Sequence, residues 1–330
     1  MLDERELQDV WYAGKAPSPL LRALAATYSG VVAARRRLYG AGVLRATRVR
    51  VPVVVVGNLT VGGTGKTPLV IAIVEALRAR GYKPGVVSRG HGANLAAPRM
   101  LGPASSAADC GDEPVLIARN AAVPVAVGRD RVAAARLLLE VSDCEVIVAD
   151  DGLQHYALAR DVEICVIDGA RRFGNGRLLP AGPLREPLAR LSTIALRVCN
   201  GGVAQPGEIP MTLVGDAAQP LVAGAAETLQ LSSFAGRRVH AVAGIGHPLR
   251  FFTMLRAAGL VVDEHPFADH HPFVAADFDY GDDAPVLMTQ KDAIKCAAFA
   301  RPNFWQVPVR AELAPAFFDD LAARIAAAAR

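Results

Sequence analysis

Gly62-Gly63-Thr64-Gly65-Lys66-Thr67 has the residue types and spacing to hold a nucleoside triphosphate. Backbone N–H groups of Gly62–Gly65 can wrap phosphate oxygens, because glycine lets the backbone approach closely. Lys66 can reach the β- and γ-phosphates, and the Thr67 hydroxyl suits Mg²⁺. The common pattern opens with glycine where Thr60 stands, so Thr60-Val61-Gly62-Gly63-Thr64-Gly65-Lys66-Thr67 reads as a variant phosphate-binding loop. A glycine-rich turn that binds nothing is the bland alternative. The order of strand, GTGKT and helix speaks against it.

Carboxylates stand at other informative places. Val146–Val148 leads into Ala149-Asp150-Asp151-Gly152-Leu153-Gln154-His155. A carboxylate at the end of a hydrophobic strand beside a phosphate loop commonly serves Mg²⁺. An ordinary Asp-Gly turn would need fewer polar groups than Asp150, Asp151, Gln154 and His155 supply. Asp112 and Glu113 sit together in Gly111–Pro114, where helix capping alone could explain Asp112. Asp269-His270-His271 could bind metal, although neighbouring histidines point differently and no third ligand is evident. It could equally pair a histidine with an aspartate across a cleft and remove a proton from an alcohol. Gly182–Pro187 is a stiff loop with the charge pair Arg185-Glu186, and Thr289–Asp292 faintly resembles base-reading loops of other nucleotide proteins.

These groups need a scaffold. Val51 and Val53–Val56 form a β-branched run that reads as a buried strand, followed after the glycines by a helix from Pro68 to Arg80. Further strands are expected at Val86–Ser88, Val123–Val127, Val146–Val148 and Val162–Ile167, with a helix running to Glu140. Strands alternating with helices indicate a doubly wound parallel sheet of the P-loop NTPase type, with ligands at the carboxyl ends of its strands. The loops after Val56, Ser88, Val127 and Val148 should then share one cleft. Gly201–Gly224 is rich in Gly, Pro and Ala and reads as the crossing to a second, smaller α/β unit. That unit should contain strands at Val239–Ala243, Val286–Met288 and Trp305–Val309, and helices at Pro248–Ala258 and Ala314–Ala329. The expected divisions are residues 1–45 as an amphipathic segment, 46–215 as the nucleotide-binding unit and 216–330 as the second unit.

Composition bounds the rest. The 330 residues are 52 % hydrophobic, enough for full cores and unlike a disordered chain. The five cysteines are scattered without a CxxC pair, which suggests reduced thiols in a cytosolic compartment. No signal-peptide pattern and no uncharged apolar run of about 18 residues is read. The net charge of +4 is unevenly placed: residues 10–50 carry eight Lys/Arg and no Asp/Glu. Leu20, Leu21, Leu24, Tyr28, Val31 and Val32 recur there at helical spacing, and Arg35–Arg37 close the run. Such a helix could lie in a membrane interface, or pack on the first unit with a basic outer face. Aromatics are not interleaved with the basic residues, so no nucleic-acid partner is expected.

GNLTVGGTGKTP, SRGHG, GDEP, GRDR, ADDGLQH, LLPAGPLREP, GIGHPLRFF, ADHHPF and TQKDAIK occur in the order seen in the tetraacyldisaccharide 4'-kinase family, the lipid A 4'-kinases of Gram-negative bacteria, and the chain resembles that family from about Leu20 to about Val309. It departs at His91, where the family usually has tyrosine, and at Gln290, where it usually has an acidic residue. The resemblance implies two α/β/α units with an N-terminal membrane-associated helix, at the cytoplasmic face of the inner membrane. It implies transfer of the γ-phosphate of ATP, with Mg²⁺, to the 4'-hydroxyl of a tetraacylated disaccharide 1-phosphate. It makes Thr60–Thr67 the phosphate loop and Asp112 the catalytic carboxylate acting with His270, with Lys66 also catalytic. Thr67, Asp150 and Asp151 become metal-site residues, with Gln154, His155, Arg131 and Glu186 also in the cleft. Two rival classes are a kinase or ligase-like ATPase on a soluble metabolite and a partner-binding ATPase. Oligomeric state is left open.

Overall fold

The computed structural model describes residues 4–93 and 95–329. Two helices come first, α1 (Glu4–Tyr12) and α2 (Pro19–Gly40). An alternating series follows: β1 (Val53–Gly57), α3 (Lys66–Ala79), β2 (Pro84–Ser88), β3 (Arg99–Met100), α4 (Ala107–Cys110), α5 (Asp112–Ala121), β4 (Val125–Val127), α6 (Arg131–Val141), β5 (Val146–Asp150), β6 (Val162–Asp168), β7 (Leu196–Asn200) and β8 (Ile209–Val214). A second series comprises β9 (Ala217–Pro220), β10 (Leu229–Gln230), β11 (Arg238–Ala243), α7 (Pro248–Ala257), β12 (Val261–Pro266), β13 (Val286–Thr289), α8 (Gln290–Cys296) and β14 (Phe304–Val307). The chain then runs through β15 (Arg310–Glu312) and α9 (Pro315–Ala328).

Among the described residues the larger sheet has the order β15-β8-β7-β6-β1-β5-β2-β4-β3, parallel from β8 to β4 with antiparallel edges. Every residue of β1 is buried, as its unbroken valine run demands for a strand covered on both faces. β1 lies between β6 and β5, so its carboxyl end is the place where strand order reverses. Register does the rest: Val56 sits opposite Asp150, which brings the loop after β1 beside the acidic end of β5. One face is covered by α3, α5 and α9, whose Leu69, Ile73, Ile117, Phe317 and Leu321 share a core with β1 and β5. Leu138 and Leu139 of α6 pack on the other face. The smaller sheet has the order β10-β9-β14-β13-β11-β12.

Two expectations about organisation need correction. Gly201–Gly224 is not a bare crossing, because β8 joins the first sheet and β9 the second. Only Gly215 and Asp216 lie between them. Nor does everything after residue 216 belong to the second unit. The chain crosses back after β14; β15 pairs with β8, and α9 packs against α3. Phe317, Leu321 and Ile325 recur every four residues, and that apolar stripe is buried on the first sheet. The helix opening at the phosphate loop begins at Lys66, two residues before the expected Pro68, since the loop's last residues already take the first helical turn.

The N-terminal apolar residues do not form a single face. Leu21 is buried and Tyr28 donates a hydrogen bond to the Arg185 carbonyl (3.0 Å), so one side of α2 packs on the body. Leu20, Leu24, Val31 and Leu38 are exposed, at 66, 49, 61 and 41 %. None of the described helices is long and apolar enough to cross a membrane.

Candidate active site

The loop between β1 and α3 takes its shape from two left-handed glycines, Gly62 (φ 93°) and Gly65 (φ 91°). At Gly65 a side chain is also excluded by space, because an added Cβ would lie 2.3 Å from Asn200 Nδ2. That amide donates to the Thr64 carbonyl at 2.9 Å and pins the loop from β7. Arg171 pins it from outside, donating to the carbonyls of Gly63 (3.1 Å) and of Gly246 in the second unit (2.6 Å). The loop therefore presents its backbone N–H groups at the amino end of α3, where the helix dipole favours an anion. Thr60 is bridged to Leu184, and the Val61 N–H donates to the Pro183 carbonyl, so these two residues brace the loop. Lys66 is buried to 8 % exposure; its Nζ lies 3.2 Å from Asn58 Oδ1 and 3.6 Å from Asp151 Oδ1.

The two aspartates ending β5 have opposite environments. Asp151, at φ 47°, accepts from Arg185 Nη1 through both oxygens (3.1 and 2.9 Å). Burial raises its pKa, but Lys66 and Arg185, followed by Arg131, outweigh that and hold it well below the usual carboxylate range. Asp150 is fully enclosed. Ser88 Oγ donates to its Oδ2 at 3.2 Å, while Oδ1 is buried without a partner. Burial, reinforced by the charges of Glu113 and Asp151, pushes Asp150 up to about 7. An orphaned carboxylate oxygen at the end of β5, in register with Val56 at the end of β1, suits a hard cation taking oxygen ligands. Among the described residues no three His, Cys, Asp or Glu side chains converge as a preformed metal cage. Mg²⁺ is commonly held by one or two carboxylates plus substrate phosphates.

Gln154 and Glu186 form a layer behind this pair. Gln154 Nε2 donates to the Asn58 carbonyl (3.1 Å) and to Glu186 Oε2 (3.2 Å), and Tyr156 donates to the other Glu186 oxygen. Arg131 Nη2 donates to the Asp151 carbonyl at 3.2 Å. His155 is driven down to about 4 by burial and by Arg131, so it stands neutral at physiological pH. Of these groups Arg131 touches an aspartate directly, Gln154 and Glu186 brace the Asn58 backbone, and His155 Nε2 is buried without a partner.

Asp112 and His270 come from different units and meet: His270 Nδ1 lies 3.1 Å from Asp112 Oδ2. Asp112 is the first residue of α5 and its Oδ1 accepts the Glu113 N–H at 3.0 Å, but the N-cap position is Gly111 and no side chain caps the helix, so capping does not account for Asp112. Burial raises the Asp112 pKa, yet the His270 hydrogen bond and the Lys291 charge overcome it and hold the group at about 2. The Asp112 contact raises His270, against burial and the charge of Lys291. His270 holds a left-handed backbone (φ 62°), uncommon for a residue with a side chain and frequent at functional sites. His271 turns away to Asp277 (3.0 Å), so the histidine pair does not chelate a common ion.

Sequence reasoning passed over Asn58, Arg171, Arg185, Asn200 and Lys291 as site residues. Asn58 and Arg185 had a signal in their positions beside GNLT and in REP. Arg171 and Asn200 had none, since their role is to hold backbone carbonyls. A cavity of about 190 Å³ joins the two halves, lined by Gly65, Lys66 and Thr67 on one side and by Glu113, Phe251 and Lys291 on others.

A doubly wound sheet with this loop at its switch point and an acidic neighbouring strand end defines an ATP-using P-loop enzyme. The family model described as tetraacyldisaccharide-1-P 4'-kinase matches residues 17–326, and the chain belongs to that family. The tetraacyldisaccharide 4'-kinase of Stenotrophomonas maltophilia is 53 % identical over 325 residues, covering 96 % of this chain and 95 % of that one. The enzyme of the same name from Azoarcus sp. is 51 % identical, covering 92 and 90 %. The fold matches the crystal structure of an "apo" form of LpxK from Aquifex aeolicus in complex with ATP, with a TM-score of 0.76, 28 % identity, and 92 and 97 % of the chains covered.

Proposed function

We propose that this chain transfers the γ-phosphoryl group of ATP to the 4'-hydroxyl of a tetraacyldisaccharide 1-phosphate at the cytoplasmic surface of the inner membrane. The observation that carries this reading is the Asp112–His270 pair, 3.1 Å apart and drawn from two units beside the phosphate loop. A hydrolase would need only the loop, whereas an alcohol acceptor benefits from a placed proton acceptor.

Gly62–Thr67 bind the triphosphate through backbone N–H groups, and Lys66 meets charge developing on the transferred group. Asn58 and Asp151 hold the Lys66 ammonium on the loop side. Thr67 and Asp150 are the ligands that fit Mg²⁺, and Asp151, already neutralised by Arg185, keeps Lys66 in place. When bound, Mg²⁺ neutralises phosphate charge and fixes the phosphates in line. Leu213, Phe251, Met254 and Val307 wall the cavity with apolar surface suited to the base. Asp112 takes the acceptor's hydroxyl proton as the new O–P bond forms; the bond to the bridging oxygen breaks and ADP leaves with its electron pair.

The membrane part of the reading rests on α2. Its exposed Leu20, Leu24, Val31 and Leu38 share a helix with Arg35–Arg37, in a stretch without acids. Such a surface suits the interface of an anionic membrane. Arg36 and Arg37 also line a hollow with Leu178 and Pro187, next to Arg185 and Glu186 in sequence, so the membrane-facing helix and the cleft adjoin. The test follows γ-labelled phosphate into a lipid A disaccharide 1-phosphate, with water and a soluble amino sugar as competing acceptors. Label in the lipid is expected. Label released only as inorganic phosphate, or passed to the soluble sugar at equal rate, overturns the reading.

A further inference from the structure

Lys291 is a half-buried lysine, its side chain 14 % exposed, at the start of α8 and outside the phosphate loop. Its Nζ lies 3.3 Å from Glu113 Oε1, 3.2 Å from Asp269 Oδ1 and 3.3 Å from His270 Nε2. Asp112 Oδ2 is a little farther, at 3.8 Å. An ammonium has three N–H donors, and these partners use all of them. Lys66 differs, with Asn58 and Asp151 its only side-chain partners among the described residues, so it keeps a donor for phosphate. Lys291 therefore lines the same cavity without being free to ligate the triphosphate.

Its effect falls on His270. A charged ammonium facing Nε2 requires a lone pair there, so the imidazole proton must sit on Nδ1. Nδ1 is the nitrogen that faces Asp112 Oδ2. We infer that Lys291 is a positioning residue for proton removal, fixing His270 with its proton on Nδ1 and aimed at Asp112, and doing so only while the second unit is docked on α5. The interdomain part follows from the partners: Glu113 and Asp112 belong to α5, while Asp269, His270 and Lys291 belong to the second unit. Gln290 adds a contact of the same sense, donating to Asn120 of α5 at 3.1 Å. The role rests on Asp112 being the proton acceptor. In its absence the pair could invert, with Nε2 protonated toward Asp269, which lies 3.8 Å away.

Other charged groups face this centre. The His91 ring, from the loop after β2, lies with its centroid 4.7 Å from that of His270. Lys295 of α8 acts on Asp112 through its charge. Neither occupies Nε2 of His270. Loss of the Lys291 charge favours protonation of both members of the pair, so the acid limb of the rate profile should move to higher pH.

The experiment begins with ¹⁵N-histidine-labelled enzyme, His270 being assigned by its absence in H270A. Wild type should show Nδ1 protonated and Nε2 bare near pH 7.5; the opposite tautomer or an imidazolium overturns the inference without any variant having to fold. K291M should lose roughly a hundredfold in turnover, as a general-base defect would, with the ATP KM within about threefold of normal. K291R, which keeps the charge, should recover part of that loss. The acid limb of K291M should lie at higher pH than that of wild type. In an H270A background K291M should add less than about a threefold loss, since coupled residues are not additive. Near-normal K291M turnover, a loss expressed chiefly as raised ATP KM, an unmoved acid limb or full additivity with H270A each overturns it. D112A separates the underlying reading. If D112A keeps turnover, the assignment of Asp112 is wrong; if D112A is dead while K291M is normal, only the role of Lys291 fails.

Discussion

The phosphate side and the proton side of the proposed site are built in opposite ways. The phosphate side is local: the loop and Lys66 follow β1 directly and Asp150 ends the neighbouring strand β5, in the register that places Val56 opposite Asp150. The proton side is assembled from a distance, His270 reaching Asp112 across 158 residues of chain and between two sheets. Lys291 adds a half-buried cation from the second unit to that same junction. The proton pair should therefore be the more sensitive of the two to disturbance of the interface between units, although Arg171 also ties the loop's Gly63 to Gly246 of the second unit.

The largest expected effect tests the phosphate side. Lys66→Ala should reduce transfer on the order of ten-thousandfold, in the range of cationic groups that stabilise a transferring phosphoryl. Its thermal melt should stay near that of wild type, because among the described residues the Lys66 ammonium has one side-chain hydrogen bond, to Asn58, and one ion pair, with Asp151. A folded variant with near-normal turnover would remove the phosphate loop from the mechanism.

Next in size is Asp112→Ala, expected to cost about a thousandfold in turnover, within the span of general-base contributions. ATP affinity, measured by calorimetry, should change little. Loss of ATP affinity with turnover retained would put Asp112 on the phosphate side and dissolve the contrast between the two halves.

A third prediction concerns stability of the metal-free protein in chelator. Asp150 is held at about 7 in the fold against 3.8 ordinarily. Between those values the folded chain keeps a proton that the unfolded chain has released. Stability contributed by that proton is present at low pH and is lost as pH rises from roughly 4 to 7, by at most a few kcal/mol, since one unit is about 1.36 kcal/mol. Asp150→Asn should abolish this slope. It should melt above wild type at pH 8 and converge with it near pH 4, while losing transfer. Parallel melting curves for both proteins across that range would contradict the buried, unpaired oxygen seen at Asp150.

The smallest effect should come from α2. Replacing exposed Leu20, Leu24, Val31 and Leu38 together by serine should release the protein from anionic vesicles and slow reaction on vesicle-borne substrate severalfold. The melt should be unchanged, because these side chains are exposed while Leu21 holds the helix to the body. Arg35–Arg37→Glu should weaken vesicle binding most at low salt, each basic residue near such a surface being worth about 1 kcal/mol before screening. Unaltered sedimentation with vesicles would reduce α2 to a cover for the first unit.

Much of the phosphate side was legible because its signals are short-range. A valine run, glycines, Lys-Thr and a strand ending in Asp-Asp carry their meaning within a few residues, and parallel-sheet rules then place those strand ends together. The C-terminal segment was harder. Ala314–Ala329 was readable as a helix, but a helical period does not say which core will bury Phe317 and Leu321. The split of the α2 residues was hidden similarly: six apolar positions at helical spacing cannot say which of them meet protein and which meet something else.

The amino-acid sequence by itself determined the doubly wound sheet, the phosphate loop, the acidic strand end and, through its motifs, the family. These follow from local conformational preference and from hydrophobic period. Tertiary structure alone decided that Asp112 faces His270, that His271 turns away, that Asp150 has an unpaired oxygen while Asp151 is neutralised by Arg185, and that Lys291 is enclosed by carboxylates. The physical reason is that charge pairing depends on separations of a few ångströms, and such separations between distant segments are set by how two cores dock.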